Sequence, residues 1–113
     1  MREFLYVDDL ADACLFLMEH FDGEEHINVG TGKDLSIREL AEMVRDIVYP
    51  DVKLCFDTTK PDGMPRKVLD VSKLRDLGWT AKVDLREGIA STYQWFLAQS
   101  PATIRGLDPS AGR

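Results

Sequence analysis

The sequence predicts a mixed α/β chain, mostly helical with a few short strands, and three observations predict it. Apolar residues recur at helical spacing around 10–18, 37–48 and 85–97. Two short runs, Ile27-Asn28-Val29 and Val52 to Phe56, carry β-branched or alternating apolar residues between those stretches. Capping and breaking residues stand at the joins: Ser36 to Glu39, Pro50 and Gly78.

Taken in order, Glu3-Phe4-Leu5-Tyr6-Val7 reads as extended, and Asp8 or Asp9 caps a helix running to about His20. That helix, Leu10-Ala11-Asp12-Ala13-Cys14-Leu15-Phe16-Leu17-Met18, is apolar nearly all round and needs cover on more than one side. A polar turn with Gly23 leads to the strand Ile27-Asn28-Val29, which ends at Gly30-Thr31-Gly32. Ser36-Ile37-Arg38-Glu39 is a capping box, with Leu35 placed to staple onto Leu40. Ile37, Leu40, Ala41, Val44, Ile47 and Val48 keep one helix face until Pro50 stops the run. Val52, Leu54 and Phe56 alternate with Lys53, Cys55 and Asp57, as in a half-buried strand. Asp70 to Leu77 reads as a short helix closed by Gly78, with Trp79 folding back as a hydrophobic contact. Asp84-Leu85-Arg86-Glu87 opens a last helix whose apolar face is Leu85, Ile89, Tyr93, Phe96 and Leu97. Residues 1–99 form the folded region by this reading, and 100–113, with two prolines, two glycines and small residues, a flexible tail.

At 113 residues the chain is one domain at most. Its 44% hydrophobic and 30% charged content is that of a soluble globular protein. A net charge of -6 argues against nonspecific binding to nucleic acid or to an anionic membrane. No apolar run approaches the roughly 20 residues that span a bilayer, and Met1-Arg2-Glu3-Phe4 is not a signal peptide, so the expected compartment is the cytoplasm. Cys14 and Cys55 form no CxxC pair and are expected to be reduced packing residues. His20 and His26 have no ligand spacing around them, so no metal is predicted.

The segment with chemistry in it is Lys60-Pro61-Asp62-Gly63-Met64-Pro65-Arg66-Lys67. Two prolines and a glycine hold it out of regular structure, and three cations sit on it in an otherwise acidic chain. Arg66 can offer a planar fork to phosphate oxygens, with Lys60 and Lys67 as point charges. Asp62 would repel phosphate and suits sugar hydroxyls or a ring N–H. A solvated surface turn is the competing reading of the same residues. Two other motifs carry less. Gly30-Thr31-Gly32-Lys33-Asp34-Leu35 has leucine where a dinucleotide loop needs its third glycine, so it reads as a tight strand-to-helix turn. Tyr49 and Lys53 have the Tyr-x-x-x-Lys spacing, but Pro50 breaks the helix that would give them a shared face.

Four segments carry a resemblance: Arg2-Glu3-Phe4-Leu5-Tyr6-Val7-Asp8-Asp9-Leu10-Ala11, His26 to Gly32, Lys60 to Asp70, and Ala90-Ser91-Thr92-Tyr93-Gln94-Trp95-Phe96-Leu97. In order and spacing they resemble the C-terminal part of the extended short-chain dehydrogenase/reductase (NAD-dependent epimerase/dehydratase) family. The proline-rich loop and the last segment point more narrowly to its GDP-4-keto-6-deoxy-mannose 3,5-epimerase-4-reductases. The resemblance implies a parent enzyme that inverts C3 and C5 beside a ketone and reduces C4 with NADPH, giving GDP-L-fucose. A ketone acidifies its neighbouring C–H bonds, so one acid/base pair can serve both carbons.

The resemblance also implies that NADP(H) and the acid/base residues belong to an N-terminal Rossmann domain preceding this chain, leaving no catalytic and no cofactor-binding residue here. What it carries over is the binding of a GDP-sugar: Arg2 and Asp62 match family substrate positions, with Arg66, Lys67 and Lys60 beside Asp62. It makes the strand at Ile27 a remnant of the Rossmann sheet and leaves the helix after Asp8-Asp9 without its cover. Exposed apolar surface around Leu15, Phe16 and Met18, and a homo-oligomer or domain swap, are therefore expected. The isolated chain is expected to be inactive; a stand-alone nucleotide-sugar binding module and a non-catalytic relic or interaction protein are the rival readings.

Overall fold

A computed structural model describes residues 1–100; the predicted tail falls almost wholly at 101–113, outside the described residues. Four helices follow one another: α1 (Val7–His20), α2 (Ile37–Val48), α3 (Ser72–Leu77) and α4 (Leu85–Ala98). The helical part of the prediction holds, and the strands do not. Among the described residues the only extended pairings are two isolated bridges of Arg2, antiparallel to Leu35 and parallel to Lys67. Ile27-Asn28-Val29 and Val52 to Phe56 have no neighbouring strand to exchange hydrogen bonds with, and a strand does not exist without its ladder. Ile27 and Val29 pack their side chains into the core from an irregular backbone.

Helix α1 begins one residue before the predicted caps. Neither Asp8 nor Asp9 caps it; the N-cap is Tyr6, without a side-chain bond. Asp9 is instead buried, at 3% exposure, and one of its oxygens accepts from the backbone N–H groups of Lys82 (3.1 Å) and Val83 (2.9 Å). It therefore ties α1 to the turn before α4. The Asp12 carboxylate, one turn on, accepts from the Trp79 indole N–H at 2.8 Å and from Lys82 Nζ at 3.0 Å. These bonds hold its pKa below the usual carboxylate range.

The capping box forms as read from the sequence: Glu39 N–H donates to the Ser36 hydroxyl and Ser36 N–H to the Glu39 carboxylate. α3 starts at Ser72 rather than Asp70, because the Asp70 carboxylate turns back to accept from Ser72 N–H. It ends as expected. Gly78 takes φ +108°, and the N–H groups of Gly78 and Trp79 return to the carbonyls of Arg75 and Leu74. α4 is capped by Asp84, which accepts from Arg86 N–H.

The buried centre is Ala13 of α1, Leu74 of α3 and Trp79, with Leu5, Phe16, Leu17, Ile27, Val29 and Ala81 packed around it. A second unit is the pair α2 and α4, which face each other across a groove lined also by Phe4 and Tyr6. Gly88 is buried under Tyr6, whose ring atoms stand about where a side chain would go, 3.1 Å from an added Cβ. The extended N-terminal segment thus runs between two packing units. Neither unit closes over α1: Leu15 is 63% and Met18 81% exposed, whereas Phe16 is half-buried and stacks on His20 at 4.2 Å. Cys14 and Cys55 are free, but both are exposed and neither is the packing residue expected, since the faces that carry them are uncovered. Phe56 likewise finds a cation rather than a strand neighbour, with the Arg38 guanidinium 4.1 Å over its ring.

The left-handed conformation of Gly78 gives a direct stability test. Gly78→Ala meets no neighbouring atom, so it should cost about 1–2 kcal/mol through backbone strain alone. Urea unfolding followed by circular dichroism measures this, and an unchanged midpoint would contradict the cap.

Candidate functional site

The loop 60–69 has no helix or strand of its own, so its shape depends on what the rest of the chain bonds to it. The bonds come from the N-terminal segment. Lys67 N–H donates to the Met1 carbonyl at 3.1 Å. Arg2 exchanges both backbone bonds with Leu35, at 2.9 and 3.0 Å, and its Nη1 donates to the carbonyls of Met1 (2.8 Å) and Met64 (2.6 Å). Gly63 gives the loop its close approach there, since an added Cβ would stand 3.2 Å from Arg2 Nη2.

Glu3 makes the next tie. Its Oε1 accepts from the N–H groups of Thr31 (2.5 Å) and Gly32 (2.8 Å), and its Oε2 from Leu69 N–H at 2.7 Å. Gly30 leaves the space for this, because a Cβ there would fall 2.2 Å from Glu3 Oε1, and Gly32 turns the chain with φ +70°. The Gly30-Thr31-Gly32 segment is thus the tight turn expected, with its amides directed at a carboxylate of the same chain. The Thr31 and Gly32 N–H groups, which a dinucleotide loop would direct at a pyrophosphate, are directed here at Glu3.

Between the N-terminal segment and the loop lies an open cleft of about 600 Å³. Leu5, Val29, Met64, Val68 and Leu69 give it an apolar lining, and its charged groups are three cations, Arg2, Arg66 and Lys67, and one carboxylate, Glu3, whose oxygens are turned to backbone N–H groups. Three of the five predicted site residues therefore meet at one cleft. Lys60 and Asp62 lie on the same loop, exposed, outside the cleft lining. The Arg66 fork points to a partner that the sequence reading missed: Nε donates to Asp34 Oδ2 at 2.5 Å and Nη2 lies 3.4 Å from Oδ1. Asp34 is 10% exposed and Arg66 65%. That bond holds the Asp34 carboxyl below the usual carboxylate range and raises Arg66. The sequence reading gives Glu3 and Asp34 no role of their own; their partners lie 28 to 66 residues away. Chemically the cleft offers cations beside an apolar lining, which suits an anionic ligand with a flat or hydrophobic body.

The chain has relatives among known proteins. Residues 1–30 match the model of the NAD dependent epimerase/dehydratase family. GDP-L-fucose synthase 1 of Arabidopsis thaliana is 58% identical over 97 residues, covering 86% of this chain and 30% of that protein. The GDP-L-fucose synthase of Escherichia coli K12 is 51% identical over 106 residues, covering 86% and 33%. Among solved structures, a GDP-mannoheptose C4 reductase from Campylobacter jejuni with NADP bound superposes with TM-score 0.75 at 40% identity, over 86% of this chain and 32% of that one. Over 86% of its length the chain resembles a solved reductase, and over residues 1–30 the NAD dependent epimerase/dehydratase family. Within it the likeness is to GDP-L-fucose synthases, and the chain spans about a third of the length of those relatives.

The ion pair of Asp34 with Arg66 makes a pH prediction. Because the folded Asp34 pKa is lowered, the pair is fully formed above the ordinary carboxylate value of about 4 and is lost as pH falls through the lowered one. The Arg66 Nε–H resonance should stay constant from neutral pH down to about 4 and move only below it. Movement near neutral pH would contradict the pair.

Proposed function

We propose that this chain is the nucleotide-sugar-binding part of an enzyme of the GDP-L-fucose synthase kind. The observation that carries the proposal is the cleft, where Arg2, Arg66 and Lys67 converge beside an apolar lining. A GDP-sugar has two matching parts. Its diphosphate calls for the guanidinium and ammonium groups, which offer forked and point-charge hydrogen bonds. Its base and sugar call for apolar contact together with polar groups at the rim, the role given to Asp62, while Lys60 adds positive charge at the loop entrance. Arg66 turns two of its five N–H donors to Asp34 and keeps the others for a ligand, so the pair with Asp34 orients the fork. The names of the relatives support the ligand class, since the fucose synthases and the heptose reductase alike carry GDP-sugars in theirs.

By this proposal the whole enzyme converts GDP-4-keto-6-deoxy-mannose to GDP-L-fucose, by epimerisation at C3 and C5 and reduction at C4. NADP(H), which supplies the hydride, is held outside this chain. The chain alone binds and does not turn over. Calorimetry with GDP-L-fucose should give measurable heat at micromolar to millimolar ligand, and Arg66→Ala or Lys67→Ala should each weaken binding by about fivefold, the order of one exposed charged contact. No heat at millimolar ligand would overturn the binding role, and NADPH oxidation by the chain alone would overturn the division of labour.

The bare face of α1 supports self-association as the arrangement of the isolated chain, with Leu15 and Met18 at the contact. Sedimentation should show concentration-dependent association that Leu15→Glu with Met18→Glu abolishes; a monomer at all concentrations would contradict it.

A further inference from the structure

We propose that Glu3 is the positioning residue of the nucleotide-sugar cleft, holding its two walls at a fixed separation and aiming Arg2. This rests on the binding role proposed above and adds a residue to it. Besides Arg2, Glu3 and Leu5 of the N-terminal segment, two stretches of chain line the cleft and serve as its walls, Val29 with Gly30 and the loop from Met64 to Leu69. Neither wall belongs to a helix or to a strand. Glu3 touches both: Oε1 takes the N–H groups of Thr31 and Gly32 beside the first wall, and Oε2 takes Leu69 N–H at the end of the second. The two oxygens of one carboxylate therefore span the gap. Gly30 is without a side chain where that carboxylate passes, at a distance that no Cβ could share.

The consequence for the ligand runs through the chain neighbour. Arg2 precedes Glu3, and its backbone is paired on one side with Leu35 and on the other faces Lys67. Its guanidinium reaches Met64 across the cleft edge. With the Glu3 carboxylate in place, the loop stands where Arg2, Arg66 and Lys67 present their cations together. Without it, Leu69 N–H loses its acceptor, and the ties that remain, at Met64, Pro65, Arg66 and Lys67, all lie nearer the start of the loop. The carboxylate also offsets the local positive charge, so its effect on affinity must come from geometry: removing a negative charge should by electrostatics alone tighten the binding of an anion. That opposition of signs is what separates positioning from charge.

The test is Glu3→Gln, which keeps one acceptor oxygen and sets an NH2 group against N–H donors at the other position. Amide hydrogen exchange on the full chain should show Leu69 losing protection while amides in the interiors of α2 and α4 keep theirs; unchanged protection at Leu69 and at Thr31 and Gly32 would overturn the clamp. Calorimetry with GDP-L-fucose should show affinity falling about tenfold, the order of one hydrogen bond to a charged group. In an Arg2→Ala background the same substitution should cost much less than tenfold, because the group it aims is gone. A purely structural role would lower affinity equally in both backgrounds and would overturn the inference. So would unchanged or tighter binding by Glu3→Gln. If Glu3→Gln loses its helical circular dichroism, Glu3→Asp replaces it; the shorter arm keeps the charge, cannot reach both walls, and should show the same loss. Failure of the unaltered chain to bind at millimolar ligand would overturn the binding role beneath the inference, a result distinct from a variant that binds as well as the unaltered chain.

Discussion

A single carboxylate does here what a β-ladder does in a complete sheet. Three stretches of irregular backbone meet beside Glu3, and backbone N–H groups taken from water need an acceptor somewhere. Glu3 accepts from Thr31, Gly32 and Leu69 at once. A charged acceptor makes these bonds stronger than the amide-to-amide bonds of a ladder. That carboxylate stands in the cleft lining, next in the chain to Arg2 and at the end of the proline-rich loop, so it bears on all three. The two helical units on either side are each locally sensible, and the extended segment bearing Glu3 is what runs between them.

The second constraint is scarcity of cover. Only Ala13, Leu74 and Trp79 are buried apolar residues among those described, and the rest of the apolar surface is shared out along grooves and open faces. α1 shows the result most plainly, with an apolar face packed on Trp79 and another left to solvent at Leu15 and Met18. α2 has a well-ordered apolar stripe and yet no buried residue, because α4 covers it on one side only. Asp9 and Asp12 compensate in part, pinning α1 to Val83, Lys82 and Trp79 by hydrogen bonds where apolar contact is thin.

Local chemistry in this chain was legible in the sequence, and long-range chemistry was not. The capping box at Ser36, the glycine stop at Gly78 and the Asp84 cap are each decided by residues within four positions of one another, so the sequence states them directly. The strands failed for the opposite reason, since a strand is defined by a partner that no local pattern supplies. Asp9 looked like a cap because acids near a helix start usually are; its burial against residues 73 and 74 positions away has no local sign. The cations of the loop were legible from composition, and Arg2, Arg66 and Lys67 do meet. The acids that order them, Glu3 and Asp34, were not, because a carboxylate facing glycine amides and one facing an arginine look alike until the chain is folded.

The most direct test of the cleft is a nitrogen-15 NMR titration of the chain with GDP-L-fucose. Shift changes should gather at Arg2, Gly30 and the loop from Met64 to Leu69, with the Arg66 side-chain resonances among them. Shifts confined to the bare face of α1 or to the groove between α2 and α4, or no shifts at millimolar ligand, would contradict it.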